Sequence, residues 1–264
     1  MPRSALLNVM VQAANKAGRS LTRDFNEVEK LQISVKGPAD FVSAADLRAE
    51  KIIRRELEKA RPGYGFLMEE SGEIEGADKT HRWIVDPLDG TNNFLHGNPY
   101  FCVSIALERE GKIAAGVIYA PILDEIYTAE KGTGAYMNDG RIRVSARKGL
   151  EDAVISLSIP NRGSTERAQR RFRELAQLIP RVSGIRVGGA SALDMAWLAA
   201  GRYDGAILDM VSAWDVAAGL MIIREAGGLV SDRDGNPEIL ETLDVIAGTD
   251  GVHEALLPIA QKAR

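Results

Sequence analysis

Near the start of the chain, apolar side chains recur every three to four positions, which is the spacing of an amphipathic helix. Residues 4–28 predict one such helix and residues 43–60 predict a second. Ser43 is placed to cap the second helix, with Asp46 in its first turn, and Pro62-Gly63 would end it. The apolar stripe of the first helix consists of Leu6, Met10, Ala14, Ala17, Leu21 and Phe25.

Short apolar runs bounded by turn residues follow the two helices. Such runs predict the strands of an antiparallel meander lying against the helix pair. Two of the turns fall at Glu110-Gly111 and at Asn138-Asp139-Gly140. The predicted strands are residues 83–85, 100–109, 112–119, 125–130 and 142–145.

After about residue 150 the pattern changes, because short β-like runs alternate with helical segments. This alternation indicates an α/β layer structure. No linker rich in proline, glycine or serine separates the halves, so we expect two tightly packed subdomains, residues 1–148 and 149–264. A site built by both would lie in the cleft between them. The predicted strands are 153–157, 185–187, 205–208 and 245–247, and the predicted helices lie near 165–178, 191–200, 215–226 and 251–262.

The composition is that of an ordinary globular protein. Of 264 residues, 45% are hydrophobic and 27% are charged. The net charge of −4 gives no reason to expect a nucleic-acid partner. No run approaches the ~18 apolar residues of a membrane span. Cys102 is the only cysteine, which excludes an intrachain disulfide and a multi-cysteine zinc site. We therefore expect a cytoplasmic protein without a membrane partner.

An acidic motif ends the first predicted strand of the meander. Trp83-Ile84-Val85 leads into Asp86-Pro87-Leu88-Asp89-Gly90-Thr91, where two carboxylates lie three residues apart. Pro87 stiffens the turn between them, and Gly90 lets the backbone approach a ligand closely. Two acids held this close repel each other, so leaving both ionised is costly without a cation. Taken alone, the same residues also suit a common exposed turn.

Acids in two other segments strengthen the case for a metal site. Glu69 and Glu70 end an apolar run, where a solvated loop also fits, and Asp215 opens a helix, where an N-cap also fits. Magnesium prefers hard oxygen ligands, and backbone N–H groups at Gly90-Thr91 would hold a phosphate beside it. The residue set suits two-metal hydrolysis of a phosphate ester. The four candidate carboxylate ligands are Glu69, Asp86, Asp89 and Asp215.

Four segments resemble the signatures of the inositol monophosphatase family, whose members are magnesium-dependent, lithium-sensitive phosphatases. They occur in the family order and span residues 36–228. The resemblance implies an α+β half and an α/β half stacked as a layered α-β-α-β-α sandwich. The N-terminal helix pair would lie on an antiparallel sheet, and the C-terminal α/β subdomain would complete the active site. The segments are Lys36–Asp46, Glu69–Ser71, Asp86–Phe94 and Trp214–Gly228.

The resemblance implies metal-binding roles position by position. Glu69, Asp86 and the carbonyl of Leu88 would bind a first magnesium ion, which activates the attacking water. Asp86, Asp89 and Asp215 would bind a second ion, which stabilises the leaving alkoxide. A third, weaker ion would share Glu69. We therefore expect two to three Mg²⁺ ions and no covalent phosphoenzyme.

The resemblance also implies which residues act on water and phosphate. Thr91 and Asp46 would form a hydrogen-bonded pair that orients or deprotonates the water. Glu69 would also be a catalytic residue, because it would bind the magnesium ion that activates the water. Gly90 and Thr91 would donate hydrogen bonds to phosphate oxygens. This division of roles agrees with the two-metal scheme.

The substrate is less well determined than the metal site. In the family, the segment that corresponds to Gly189, Ala190 and Ser191 touches the sugar ring. The resemblance implies that Asp215 also binds the substrate. Asp209 stands where animal inositol enzymes often have glutamate, so its contact to a ring hydroxyl would be lost, water-mediated or retuned. We expect a homodimer that hydrolyses a small phosphate ester, foremost inositol 1- or 4-phosphate. The alternatives are fructose 1,6-bisphosphate, NADP, histidinol phosphate and a nucleotide 3′-phosphate.

Three other classes of protein fit the sequence less well. A haloacid-dehalogenase-type phosphatase separates its two motif acids by one residue, whereas two residues separate Asp86 from Asp89. An EF-hand is excluded because Leu88 occupies the position of a calcium ligand. A regulatory or binding protein that keeps the fold would not need the complete set of acids. That role stays open only as a second one.

Overall fold

The computed structural model describes the chain with three internal gaps. For residues 33–37 and 40–43 it describes the backbone alone. The side chain of Ser43, predicted as a helix cap, is not described, and neither are the other side chains of residues 36–43 in the Lys36–Asp46 segment. The described ranges are 3–27, 33–37, 40–159 and 165–263.

Eight helices lie in these ranges, and six of them coincide with predicted ones apart from small shifts at their ends. The first begins after Ser4, whose Oγ accepts a hydrogen bond from Leu7 N at 3.1 Å. Two short helices, α3 (Thr91–Leu95) and α7 (Ile239–Thr242), were not predicted, because one turn is too short to show a period. No helix in the described ranges is long and apolar enough to cross a membrane. The other helices are α1 (Ala5–Phe25), α2 (Ala44–Ala60), α4 (Thr165–Leu178), α5 (Ser191–Ala199), α6 (Ala213–Glu225) and α8 (Asp250–Lys262).

Fifteen strands form three sheets in the described part of the chain. Several strands of three to five residues, both at the edges and inside the sheets, were missed by the sequence pattern, because so short a run carries too little alternation to recognise. The strands are β1 (Ile33–Gly37), β2 (Asp40–Ser43), β3 (Tyr64–Met68), β4 (Gly72–Ile74), β5 (Asp78–Asp89), β6 (Cys102–Arg109), β7 (Lys112–Ala120), β8 (Glu125–Glu130), β9 (Gly134–Met137), β10 (Gly140–Ile142), β11 (Val154–Leu157), β12 (Gly184–Arg186), β13 (Gly205–Leu208), β14 (Leu229–Ser231) and β15 (Val245–Gly248).

The larger sheet has eight strands in the order β10-β9-β8-β7-β6-β5-β3-β4. The predicted antiparallel meander is confirmed from β5 to β8 and continues into β9, which was not predicted, and β10. The strand predicted at residues 142–145 is wrong, because β10 ends at Ile142. The expectation of a wholly antiparallel sheet is wrong at one place, because β3 and β5 pair in parallel, with Met68 opposite Val85. The outer strand β4 returns the chain to the start of β3, which lets β5 run in the same direction beside it.

The smaller sheet has five strands in the order β12-β11-β13-β15-β14. Strand β11 pairs in parallel with both β12 and β13. Strand β15 runs antiparallel to β13 and to β14. Helices connect the parallel strands, as the alternation after residue 150 predicts. A two-stranded hairpin of β1 and β2 stands apart from both large sheets.

Three apolar clusters show how the layers stack. Trp83 and Val85 of β5 pack in the cluster of α1 and α2, whereas Ile84 between them packs in the cluster of α5 and α6. On the smaller sheet, Leu208 faces α5 and α6, and Ile207 faces α4 and α8. The five layers are thus α1–α2, the larger sheet, α5–α6, the smaller sheet and α4–α8. The predicted α-β-α-β-α sandwich is confirmed.

Helix α6 approaches the larger sheet closely because small residues face each other. A Cβ atom on Gly116 of β7 would lie 2.6 Å from the carbonyl oxygen of Ala218. Contact of this kind leaves no room for a side chain between the helix and the strand. It holds α6, which carries Asp215, against the sheet that carries Asp86 and Asp89.

Candidate active site

The parallel pairing of β3 and β5 brings two strand ends together. Because Met68 lies opposite Val85, the residues that follow them, Glu69 and Asp86, are neighbours at the same edge. Glu69 N donates a hydrogen bond to Val85 O at 3.2 Å, which extends the ladder by one residue. The strand pair that the sequence pattern did not predict therefore places two predicted metal ligands side by side.

A bulge in β5 separates the two acids of the central motif. The three residue steps from Asp86 to Asp89 match only two steps on β6, so β5 holds one extra residue there. Pro87 lies inside the bulge, where it has no N–H to lose from the ladder. Asp86 Oδ1 accepts a hydrogen bond from Leu88 N at 2.9 Å. Both carboxylates are buried, with Asp86 2% and Asp89 9% exposed.

The turn after Asp89 places a hydroxyl next to a buried acid. Gly90 has a φ of 91°, and a Cβ on it would lie 3.0 Å from Tyr100 O, so glycine suits this position for both reasons. Thr91 Oγ1 lies 2.9 Å from Leu88 O and 3.3 Å from Asp46 Oδ2. Asp46 is 1% exposed in the first turn of α2. The structure thus brings the predicted Thr91–Asp46 pair together, and its catalytic role stays a prediction.

Asp215 reaches the site from the N-terminus of α6. Its Oδ2 accepts a hydrogen bond from Ser212 N at 2.7 Å, within a capping box. The helix start is also tied to the larger sheet, because Ser104 Oγ donates to Trp214 O at 3.0 Å. The N-cap residue is therefore Ser212, and the alternative that Asp215 is itself an N-cap is wrong, because Asp215 is at N3. The capping hydrogen bond nevertheless orients the carboxylate that is predicted to bind metal.

We call Glu69, Asp86, Asp89 and Asp215 the acid cluster. Burial, and after it the charges of Glu69, Asp89 and Asp215, raise the pKa of Asp86 well above its ordinary value. Burial and then the charge of Asp215 likewise raise the pKa of Asp89. Burial raises the pKa of Asp215 to about 6. For Asp86 and Asp89, repulsion between carboxylates adds to the effect of burial, whereas burial alone raises the pKa of Asp215.

The donor set fits a hard divalent cation. Asp46, Glu69 and Glu70 each offer a carboxylate oxygen, and the three oxygens lie within 4.8 Å of one another. Glu70 was not among the predicted ligands, although it follows Glu69 directly. Oxygen ligands of this kind favour magnesium over zinc. A cation among them would also relieve the repulsion that raises the pKa values in the acid cluster.

Glu50 is a functional residue that the sequence analysis missed. It is 4% exposed and accepts hydrogen bonds from Glu70 N at 2.9 Å and Ser71 N at 3.3 Å, and also from Ser71 Oγ. This buried carboxylate thereby holds the loop that carries Glu69. A signal was present, because Asp46 and Glu50 are acids on the face of α2 that also carries Ile53.

The N-terminus of α5 holds Asp89. Ser191 N donates to Asp89 Oδ1 at 3.2 Å, and Ala192 N donates to Oδ2 at 2.7 Å. Gly189 has a φ of 78°, and the side chain of Ala190 is 1% exposed. The segment predicted to touch a sugar ring therefore lies beside the acid cluster, and its Ser191 N–H is already used in a hydrogen bond to Asp89. Its contact to substrate stays a prediction.

Asp209 lies among arginines, in a group that we call the arginine cluster: Asp209, Arg170, Arg171 and Arg233. Asp209 Oδ1 is 2.6 Å from Arg171 Nη2, and Oδ2 is 2.6 Å from Arg170 Nη2 and 3.5 Å from Arg233 Nη2. Burial by itself would raise the pKa of Asp209, but the charges of Arg171 and Arg170 hold it below its ordinary value. Its predicted contact to a ring hydroxyl would have to compete with these guanidinium groups.

Cys102 has the predicted character of a small buried hydrophobe. It is 0% exposed, and its Sγ lies 3.7 Å from Asp89 Oδ2. Burial and then the charge of Asp89 raise the pKa of the thiol well above its ordinary value. A thiol held in its protonated form is a poor nucleophile. Cys102 is therefore not a candidate nucleophile for hydrolysis at this site.

The layered fold and the acid cluster, whose carboxylates could bind a metal ion, are those of a phosphatase family. More narrowly, the chain belongs to the inositol monophosphatase family, whose profile matches residues 3–264. It is 59% identical to an inositol-1-monophosphatase of Mesorhizobium japonicum, over 99% of this chain and 98% of the relative. It is 39% identical to Nus factor SuhB of Pseudomonas aeruginosa, over 97% and 96%. The crystal structure of extragenic suppressor protein suhB from Bartonella henselae superposes with a TM-score of 0.95 at 56% identity, covering 98% of this chain and 99% of that one.

Proposed function

We propose that this phosphatase hydrolyses an inositol monophosphate, inositol 1-phosphate or inositol 4-phosphate, in a magnesium-dependent reaction. The observation that carries the proposal is the acid cluster, in which buried Asp86 and Asp89 lie beside half-buried Glu69 and Asp215. The charges of neighbouring carboxylates raise the pKa values of Asp86 and Asp89 further than burial alone. A relative named inositol-1-monophosphatase shares 59% of its residues with this chain. That likeness supports the choice of substrate.

The proposed ligands divide between two main positions. Glu69, Asp86 and the carbonyl of Leu88 would hold one Mg²⁺, and Asp86, Asp89 and Asp215 would hold another. A third, weaker position would share Glu69, which the proximity of Glu69 oxygens to those of Asp46 and Glu70 supports. When bound, Mg²⁺ supplies the positive charge that acidifies a water molecule and offsets the charge on the phosphate and leaving oxygens.

The chain's own residues would orient the attacking water. Thr91 Oγ1 can donate its hydrogen to Asp46 Oδ2, 3.3 Å away, while its lone pairs accept a hydrogen from the water. Thr91 Oγ1 lies 2.9 Å from Leu88 O, which fixes the hydroxyl beside a proposed metal ligand. Asp46 would thus stabilise the geometry in which the water loses its proton.

The phosphate and the ring would be held by backbone groups near the acid cluster. The N–H groups of Gly90 and Thr91 would donate to phosphate oxygens, which the left-handed turn at Gly90 makes room for. Gly189, Ala190, Ser191 and Asp215 would contact the ring side of the substrate, because Ser191 N already lies 3.2 Å from Asp89. Asp209 would act on the ring only through the residues around it.

The proposal extends to the protein's setting. We include sensitivity to lithium, a homodimeric assembly, a cytoplasmic location and the absence of a nucleic-acid partner. The net charge of −4 supports the last of these. The boundary between subdomains at residues 148 and 149 also stays a prediction.

A second candidate function is a binding role in addition to catalysis. The observation that favours it is the 39% identity to a protein named Nus factor SuhB. Asp89→Asn, which is expected to stop turnover without unfolding the chain, separates the two roles. If the Asp89→Asn variant complements the phenotype of a gene deletion, the protein has a role that does not need turnover.

Phosphate release from a panel of phosphomonoesters, with magnesium, with added lithium and with excess chelator, tests the primary proposal. Inositol 1- and 4-phosphate should give the highest kcat/KM, and chelator should abolish the reaction. A higher kcat/KM for fructose 1,6-bisphosphate, NADP, histidinol phosphate or a nucleotide 3′-phosphate would replace the proposed substrate. Full activity in excess chelator would overturn the mechanism itself.

A further inference from the structure

A cavity with a volume of about 280 Å³ lies next to α4, outside the acid cluster. Four guanidinium groups and two carboxylates line it, and none of them belongs to the proposed metal or phosphate ligands. Its size is near the lower end of the range for small-molecule pockets, roughly 300–1,000 Å³. The lining residues are Glu166, Arg167, Arg170, Arg173, Arg233 and Asp244.

The arginines come from two separate parts of the chain. Arg167, Arg170 and Arg173 are spaced three residues apart on α4, so they lie along one face of the helix. Arg233 follows β14 and is 2% exposed. A buried arginine is rare unless its charge is answered by a partner. The cavity is therefore a built feature of the fold and not a chance grouping of surface charges.

Buried acids hold the arginines from behind. Asp209 Oδ2 lies 2.6 Å from Arg170 Nη2 and 3.5 Å from Arg233 Nη2. Glu174, which is 0% exposed, accepts a hydrogen bond from Arg233 Nη1 at 2.6 Å. Arg173 is fixed separately, because its Nε donates to Ala263 O at 2.9 Å. The guanidinium planes are thus oriented before any ligand arrives, which reduces the entropic cost of binding one.

Two of these arginines keep a buried donor unused. The Nε atoms of Arg170 and Arg233 are buried and have no hydrogen-bond acceptor among the residues that the structure describes. Arg233 Nε has an ion-pair neighbour, Asp244 Oδ2, only at 3.5 Å. Buried hydrogen-bond donors normally have an acceptor. A ligand that supplied one to these Nε atoms would remove the free-energy cost of leaving them without a hydrogen bond.

We propose that this cavity is a second anion site, which binds a phosphate group. Guanidinium forks match phosphate oxygens in geometry and bring charge-assisted hydrogen bonds. Two acids in the described lining and two behind it offset the four arginines, so the preference for phosphate rests on the fixed guanidinium groups and not on net charge. A concave site of this size suits a single group rather than an extended nucleic-acid backbone, which would need a long basic stripe.

The phosphate can come from two sources. One is the non-reacting phosphate of a bisphosphorylated substrate whose other phosphate lies at the acid cluster, and this source rests on the proposed function. The other is free inorganic phosphate, which is the product of the reaction. Asp209 contacts Arg170 and Arg233 behind the cavity.

Calorimetric titration of the full chain with inorganic phosphate in excess chelator tests the site directly. Without a cation, the acid cluster repels phosphate, so binding reports on the arginines alone. We expect one saturable site whose affinity falls by about tenfold or more in the double variant Arg167→Gln/Arg170→Gln. Arg181→Gln, an exposed arginine that does not line the cavity, is the matched control and should bind like the unaltered chain.

The variants also guard against a trivial loss of folding. Should the double variant melt well below the unaltered chain, Arg167→Gln alone, at an exposed residue, should still weaken binding by about threefold. Absence of phosphate binding in chelator overturns the proposal, and so does equal binding by both arginine variants and the control. These readouts do not require turnover, so they remain valid even where no phosphate ester is hydrolysed.

Kinetics then distinguishes the two sources. If the site takes a second substrate phosphate, the double variant should raise KM for inositol 1,4-bisphosphate by about tenfold and leave KM for inositol 1-phosphate nearly unchanged. If it takes free phosphate, KM for both esters should stay the same. In that case the variant should lose the part of phosphate inhibition that is not competitive with substrate. Either pattern supports the site and identifies what occupies it.

Discussion

Two buried groups of acids in this molecule have opposite electrostatic surroundings. In the acid cluster, the nearest charged neighbours of Asp86 are other carboxylates, and its pKa is raised. In the arginine cluster, the nearest charged neighbours of Asp209 are guanidinium groups, and its pKa is lowered although burial acts in the other direction. The chain itself neutralises Asp209, whereas the charged neighbours that raise the pKa of Asp86 are all carboxylates, for which we propose a cation from outside.

The comparison shows what burial alone does not reveal. Asp86 and Asp209 are both 2% exposed, Asp86 within β5 at its bulge and Asp209 directly after β13. The exposure of an acid therefore does not distinguish a structural ion pair from a candidate metal site. The charges of the neighbouring side chains do. Removing an acid from the two places should have different results, since one change relieves repulsion and the other leaves arginines unpaired.

The largest effect is expected on turnover. Asp89→Asn should lower kcat by at least about 10³-fold, roughly 4 kcal/mol of activation free energy, because it removes a proposed metal ligand. The chelated protein should keep its melting temperature, since one charge fewer reduces the repulsion in the acid cluster. Steady-state kinetics with magnesium and thermal melting in chelator measure both quantities.

That prediction has a clear contradiction. If the metal-free variant melted more than ~10 °C lower, the loss would be several kcal/mol at ~2–4 °C per kcal/mol. Asp89 would then be structural, held by the N–H groups of Ser191 and Ala192 rather than held for a metal.

The next largest effect is expected on stability. Asp209→Ala should lower the free energy of unfolding by about 3 kcal/mol, because it leaves buried guanidinium groups without their shared partner. Denaturant unfolding checks this value. Asp152→Ala is the matched control at an exposed aspartate, and it should stay within about 0.5 kcal/mol of the unaltered chain. Equal stability of the two variants would mean that the arginine cluster is not held by Asp209.

The same Asp209 variant tests the role predicted from the sequence. If Asp209 reads a ring hydroxyl directly, the variant should lose about 1–3 kcal/mol of kcat/KM on inositol monophosphate and almost nothing on glycerol 2-phosphate. Because both carboxylate oxygens contact arginines, we expect an equal change on both substrates. A loss confined to the ring substrate would restore the direct contact.

A smaller effect is expected one layer away from the metal ligands. Glu50→Ala should weaken Mg²⁺ binding by about tenfold, because the loop that carries Glu69 loses its buried acceptor. Glu50→Gln keeps one acceptor oxygen and should fall between that variant and the unaltered chain. Glu58→Ala, at an exposed acid of the same helix, should leave the affinity unchanged. Magnesium titration followed by thermal melting distinguishes these outcomes.

The smallest effect is expected on the pH dependence of folding. Because the folded pKa of Asp209 lies below its unfolded value, this acid contributes stability above pH ~4 that is lost as the pH falls through the folded pKa. The difference in unfolding free energy between the unaltered chain and Asp209→Asn should therefore shrink below pH ~4. Acid titration of both proteins measures it, and a difference that stays constant down to pH ~2 would contradict the pairing.

The sequence predicted the parts of the fold and site that depend on local pattern. The spacing of apolar residues located α1, and the Asp86–Thr91 motif located the two acids. The strand that was predicted to end at Val85 instead continues through a bulge to Asp89. The parallel pairing of β3 with β5 was not predictable in this way, because it depends on where the chain returns rather than on any turn residue.

The partners of individual acids were the least predictable feature. Asp209 meets arginines from α4 and from the segment after β14, which no spacing in the sequence connects. Glu50 shows the opposite case, in which an acid on the buried face of α2 was a readable signal. An acid at an apolar position indicates a polar partner, and long-range folding decides which one.

The glycine at position 116 sets a distance that no carboxylate controls. Strand β7 lies beside β6, and β6 lies beside β5, so the depth at which α6 rests on β7 also sets how far Asp215 stands from Asp86. A single methyl group there would meet the backbone of Ala218 at 2.6 Å and push the helix outward. The distance between Asp215 and Asp86, across which cations would bind, therefore depends on how closely α6 packs on the larger sheet. That packing requires glycine at position 116 of β7.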